Sequence, residues 1–201
     1  MNGIDLAPFA AADPQFWLRH PQVGERAPLL GAVGAFYKGQ EELIGLLPSL
    51  IEEFPRLALI LIGEDEERKH LLQQLAQQSG VAEAVVFAGR IPREQMKDAL
   101  CGLDLNVSAF RNEGFGLSVV EGLAGGTPFV GYRAGGYPEI ITDAATGCLV
   151  ETEQELAEAI VALLRDRQLS AGGSAACRKA AGSYSIANMV DAYQSLYKKL
   201  A

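Results

Sequence analysis

From Pro28 onward, short apolar runs alternate with stretches whose apolar residues recur at helical spacing. Leu29 to Val33 is the first run, and Leu43, Ile44, Leu47, Leu50 and Ile51 then share one helix face. Leu57 to Ile62 is apolar throughout, the pattern of a strand covered on both sides. The charged segment after Gly63 carries Leu71, Leu72 and Leu75 as a helical stripe. Val85 to Ala88 predicts a third strand, and the stretch after Pro92 a helix containing Met96, Ala99 and Leu100. Leu103 to Val107 predicts a fourth strand, Leu117 to Ala124 a helix, and Pro128 to Tyr132 a fifth strand. A short helix from Tyr137 to Thr142 and a strand from Cys148 to Glu151 complete the alternation. Such alternation predicts an α/β fold: a Rossmann-like, doubly wound parallel sheet with helices on both faces.

The two ends of the chain break this rhythm. Residues 1–27 are punctuated by Gly3, Pro8, Pro14, Pro21 and Gly24, so they read as a linker without periodic elements. Trp17 and Leu18 are the residues that would dock it on the core. The domain proper then runs over 28–201 and ends in extra helices. Leu156, Ile160, Leu163 and Leu164 define one of them, and Leu169 to Ser174 is a Gly/Ser break. Ile186, Met189, Val190, Tyr193, Leu196, Tyr197 and Leu200 mark a strongly amphipathic last helix, with Ser185 as its cap. In a lone domain such a stripe is expected to pack on its own core.

Composition narrows the function classes. A net charge of -8 and the lack of any Lys/Arg-rich run argue against nucleic acid or an anionic lipid surface as partner. Cys101, Cys148 and Cys177 lie far apart, and with only His20 and His70 to help they read as inert thiols in a reducing compartment rather than metal ligands. No run approaches a membrane span, and Met1 to Asp5 has no basic segment leading into an apolar one, so the cytoplasm is the expected location.

Ligands of open α/β sheets gather where strands end and helices begin. Four such loops here are rich in glycine or polar residues. Arg111 to Leu117 follows the fourth strand and opens a helix; its Gly114 and Gly116 allow close backbone approach, and the helix N-terminus suits a phosphate. Glu113 stands at the mouth of this loop and Glu121 one turn into the helix. Carboxylates repel a diphosphate, so both are better used as acceptors for sugar or ribose hydroxyls. Tyr37-Lys38-Gly39 offers a point charge for phosphate after the first strand. Gly135-Gly136-Tyr137-Pro138-Glu139 follows the fifth strand and either brings backbone amides to a ligand or is a tight turn. Gly89-Arg90-Ile91-Pro92 could hold a base. A P-loop is absent, no serine sits in a nucleophile elbow, and Gly31-Ala32-Val33-Gly34 is a poor dinucleotide fingerprint.

In order along the chain, these features resemble glycosyltransferase family 4, the group 1 transferases of the two-domain GT-B fold. The resemblance rests on Asn2-Gly3-Ile4-Asp5, Lys38-Gly39-Gln40, Val86-Phe87-Ala88-Gly89, Glu113-Gly114-Phe115-Gly116-Leu117 with Glu121, Gly135-Gly136 with Pro138-Glu139, and the ending at Leu196-Tyr197. Its most specific element is the pair of glutamates enclosing Gly-Phe-Gly. The resemblance implies the C-terminal, donor-binding half of a retaining enzyme that needs no metal or other cofactor and takes a nucleotide sugar, with UDP or GDP as the expected nucleotide. Lys38 would neutralise the diphosphate, helped by amides of Gly114, Phe115, Gly116 and Leu117. Glu113 would be the catalytic carboxylate on the transferred sugar, Glu121 would hold the ribose, and Arg90 and Ile91 would flank the base.

The family pattern is not complete. Val33 to Tyr37 lacks the arginine that usually precedes the lysine. The first domain, which would bring the acceptor glycan or lipid-linked sugar, has no counterpart in these residues, and Met1 reads as a start placed on a fragment. Half a cleft is expected to bind donor and turn over little. A full-length enzyme would be cytoplasmic or peripheral at the inner membrane. Two other classes stay open: a noncatalytic module that assembles with a partner chain, and a dinucleotide-dependent oxidoreductase domain.

Overall fold

The structure, a computed structural model, describes residues 2–166 and 175–200. Six strands form one sheet: β1 (Leu29–Val33), β2 (Ala58–Ile62), β3 (Val85–Gly89), β4 (Leu105–Ser108), β5 (Phe129–Tyr132) and β6 (Gly147–Val150). Every pairing is parallel and the order is β3-β2-β1-β4-β5-β6. The helices are α1 (Gln40–Glu53), α2 (Glu66–Gln78), α3 (Arg93–Cys101), α4 (Leu117–Gly125), α5 (Tyr137–Ile140), α6 (Glu153–Arg165), α7 (Ala175–Gly182) and α8 (Ile186–Leu200). The expected doubly wound parallel sheet is therefore present. The order reverses between β1 and β4, which opens a crevice at their carboxyl ends.

Strand pleating sends alternate residues into two cores. Leu59 and Leu61 of β2 pack with Leu43, Ile44, Leu47 and Leu50 of α1, Leu72 of α2, and Leu156 and Ile160 of α6. Ala58, Ile60 and Ile62 face the other way, toward Ala99 and Leu100 of α3 and toward Trp17. Every one of these side chains is nearly or fully buried, and each large apolar one contributes about 1.5–3 kcal/mol by leaving water. Helix α6 starts with a reciprocal cap in which Thr152 accepts from the Glu155 amide and the Glu155 carboxylate accepts from Thr152.

Several local expectations change. Short 3-10 turns form at Ala7–Ala11 and Phe16–Arg19, because a single turn needs no periodic face. Trp17 docks as expected, 1 % exposed with its indole N–H donating to the Ala99 carbonyl at 2.7 Å, whereas Leu18 stays out. In α2 the inward residues are Leu72 and Ala76, and Leu71 faces solvent. Strand β4 starts at Leu105 rather than Leu103, since Leu103 still belongs to the turn that ends α3. The Gly/Ser break at Leu169 to Ser174 lies outside the described residues.

The largest correction concerns α8. Ser185 caps it by accepting from the Asn188 amide, as its position predicts. Its apolar stripe, however, does not pack on the core: Ile186, Val190, Tyr193, Leu196, Tyr197 and Leu200 are all exposed, and no residue of the helix is buried. The helix leaves the body at a parallel bridge between Ile4 and Ser185, where the Ile4 amide donates to Tyr184 and the Ile186 amide to Ile4. That direction carries its stripe away from both cores.

Candidate functional site

The crevice between β1 and β4 is bounded by the loops that follow those strands. The first loop is wound by Gln40, 1 % exposed, whose Oε1 accepts from the Lys38 amide at 2.8 Å and whose Nε2 donates to the Ala35 carbonyl at 3.0 Å. Gly39 then turns with φ +81°, and a Cβ there would lie 2.7 Å from the Ala109 carbonyl carbon. The sequence Lys38-Gly39-Gln40 thus presses the lysine against the end of β4.

The second loop is held just as firmly. The Ser108 hydroxyl accepts from the Phe110 amide at 3.2 Å and lies 2.9 Å from the Tyr137 hydroxyl. Burial, aided by the nearby Glu113 charge, pushes the Tyr137 phenol up to about 12, so it keeps its proton at neutral pH. The Glu113 carbonyl accepts from the Gly136 amide at 2.9 Å, and a Cβ on Gly135 would lie 2.0 Å from the same oxygen. The paired glycines therefore support the backbone of Glu113, and the Gly136 amide is spent inside the protein rather than aimed at a ligand. Gly116 caps α4 with φ +98° and brings no side chain to satisfy its first amides. Gly114 faces open space.

These two loops bring Lys38 and Glu113 together. The Lys38 ammonium lies 2.8 Å from Glu113 Oε2, both side chains a quarter exposed or less, and stands 5.1 Å from the Phe110 ring centroid. Arg111, two residues before Glu113, does not supply the absent arginine. Its guanidinium is bound to Glu42 at 3.0 Å and stacked 3.6 Å from the Tyr132 ring centroid, and the Tyr132 hydroxyl donates to the same Glu42.

A second group of expected residues meets one turn along α4. Arg90, Ile91 and Glu121 line a cavity of about 600 Å³ together with Arg93, Lys97 and residues Ile4 and Phe9 of the N-terminal segment. Burial pushes the Glu121 carboxyl above the usual carboxylate range, and the Arg93 charge opposes that shift. Lys38, Glu113 and Gly114 to Leu117 do not line this cavity, so the expected residues fall into two neighbouring groups joined by α4. Residue types alone did not single out Gln40, Ser108, Arg93 or Lys97. The signals were present in the Lys-Gly-Gln triplet and in cations four apart at the start of α3. Among the described residues, no group of three or more His, Cys, Asp or Glu side chains is placed to hold a metal ion. No helix among them is long and apolar enough to cross a membrane.

The chain is 29 % identical over 175 residues to phosphatidyl-myo-inositol mannosyltransferase of Mycolicibacterium smegmatis, covering 85 % of this chain and 44 % of that protein. It is 31 % identical over 214 residues to D-inositol 3-phosphate glycosyltransferase of Xylanimonas cellulosilytica, covering 98 % and 51 %. The chain thus spans about half the length of these curated relatives. Among solved structures, HepE of Anabaena in complex with UDP and glucose superposes with a TM-score of 0.83 at 24 % identity, over 99 % of this chain and 55 % of that one. The C-terminal domain of a group 1 family glycosyl transferase (LpcC) from Francisella tularensis superposes with a TM-score of 0.77 at 28 % identity, over 92 % of this chain and all of that one. The family model for glycosyl transferases group 1 matches residues 18–181, and the chain belongs to that family.

Proposed function

We propose that this domain binds the nucleotide-sugar donor of a retaining glycosyl transfer. The observation that carries the reading is the meeting of Lys38, Glu113 and the uncapped start of α4 at the β1/β4 crevice, one helical turn from the cavity lined by Glu121, Arg90 and Ile91. A cation beside a helix N-terminus suits a diphosphate. The cavity has room for a nucleoside, with Glu121 as acceptor for ribose hydroxyls and Arg90 and Ile91 along the base. Glu113 is the carboxylate in reach of the sugar. In this reading the amides of Gly114 to Leu117 share the phosphate charge, which offsets the missing arginine, and no metal or other cofactor takes part. The UDP and glucose held by the similar Anabaena structure support a sugar nucleotide as ligand.

Turnover in this reading needs a second wall to present the acceptor, a glycan or lipid-linked sugar, because reacting groups must be held together. Calorimetric titration with UDP, GDP and ADP sugars tests the reading. Binding of one of them, weakened in Glu121→Ala, is expected; absence of binding to all of them would defeat it. The outward stripe of α8 favours a second reading, a noncatalytic module that works against a partner chain. Light scattering together with a transferase assay separates the two: the second reading expects assembly without sugar transfer.

A further inference from the structure

Lys38 is required twice, once for Glu113 and once for a diphosphate, and two anions gathered on one ammonium repel each other. We infer that Glu113 is a built-in competitor for the phosphate site, and that its exchange between Lys38 and sugar hydroxyls makes the domain prefer a sugar-bearing nucleotide over the bare diphosphate. This rests on the donor-binding reading above.

The parts of the exchange are visible. The ammonium is positioned by packing rather than by the carboxylate alone: the Lys38 stem crosses Gly34, where a Cβ would come within 2.8 Å of its Cδ, and the head stands by the Phe110 ring. The Glu113 backbone is pinned by Gly135 and Gly136. Rotation of the Glu113 side chain is therefore the smallest movement that breaks the 2.8 Å pair. The neighbouring Arg111 gives no relief, since it is engaged by Glu42 at 3.0 Å.

Charge then decides the order of preference. Lys38 and Glu113 together are neutral, and a diphosphate placed beside them adds negative charge within a few ångströms of the carboxylate. A bare nucleoside diphosphate must displace Glu113 and leaves it, partly desolvated, without a partner. A nucleotide sugar displaces it too, but supplies hydroxyl donors that satisfy the freed oxygens. The sugar thus restores what the phosphate removes, and a product that has lost its sugar leaves more readily than the donor.

Titration of UDP, GDP, UDP-glucose and GDP-mannose into the wild-type domain and Glu113→Gln tests this. The variant is expected to bind the bare diphosphate roughly tenfold more tightly, and the ratio of donor to diphosphate affinity should collapse toward one. Glu113→Ala should move both quantities in the same direction, and circular dichroism confirms that each variant is folded. A crystal of the diphosphate complex should show Lys38 and Glu113 beyond bonding distance. Wild-type binding with no tightening in either variant, or an intact pair beside bound diphosphate, would overturn the inference alone. No binding of any nucleotide by the wild type would overturn the donor-binding reading and this inference with it.

Discussion

The two ends of the candidate site are prepared in opposite ways. Around Glu121 there is an existing cavity whose carboxylate is desolvated and whose walls come from three separate segments. Around Glu113 the carboxylate is already paired with Lys38. Two glutamates that look alike in sequence thus differ in what the proposed donor would have to do: enter at one end, displace at the other. In that reading, preorganisation of the first end favours binding directly, whereas the second would make binding a choice between ligands.

The contrast breaks most severely at Trp17, which packs in the same core as Ile91 and Met96 on the cavity side. Trp17→Ala should lower folding stability by about 3–5 kcal/mol and loosen the cavity, leaving the Lys38 end geometrically intact. Urea unfolding reads the first effect, and a loss below about 1 kcal/mol would show that the N-terminal segment is not held by this residue. Next in size, Lys38→Ala should weaken a nucleoside diphosphate by about 10- to 100-fold, since a charge-assisted hydrogen bond contributes about 1.5–3 kcal/mol. Titration with the free nucleoside should be unaffected, which confines the loss to one end.

Glu121→Gln sharpens the comparison with a smaller effect of mixed sign. Nucleotide affinity should fall about tenfold through loss of a carboxylate acceptor, while thermal stability at neutral pH rises. The sign follows from the raised carboxyl. Its penalty is absent below the ordinary value of 4.5, grows as pH rises from there, and is complete above the raised folded value. The smallest effect is in the pH profile of binding. Wild-type affinity should decline on acidification at a higher pH than an ordinary glutamate would give, and the Gln variant should be flat there. A stability loss in Glu121→Gln at neutral pH would contradict the assignment of burial as the main cause.

Much of this fold was legible because parallel strands covered on both faces, such as Ala58 to Ile62, and helices with one buried face, such as α1, leave unambiguous periods. The candidate site was readable at Lys38, Glu113 and Glu121 because chemistry-bearing residues stood at strand-to-helix junctions. What the period cannot give is the identity of the covering surface. Helices α6 and α8 carry comparable stripes, yet Leu156 and Ile160 are fully buried while Leu196 and Tyr197 are exposed. The roles within the Gly135-Gly136 turn were also hidden, since only coordinates reveal that their amide and their missing Cβ serve Glu113. Nor does spacing show that Lys38 already has an anion.

The junction of Ile4 with Ser185 has a consequence for the order in which the molecule comes apart. Helix α8 buries no residue, and only its start is fastened, by the bridge and by Gly3, which lies close against Ile186 and Met189. Opening of the turns beyond that start leaves the sheet and both strand-end loops undisturbed, and those turns form their own cooperative unit near the low end of the free-energy scale. Amide protons along α8 should exchange through local opening, whereas those of β1 and β2 wait for the whole domain. The outer turns of the last helix can thus open while Ile4 stays in the cavity wall beside Glu121.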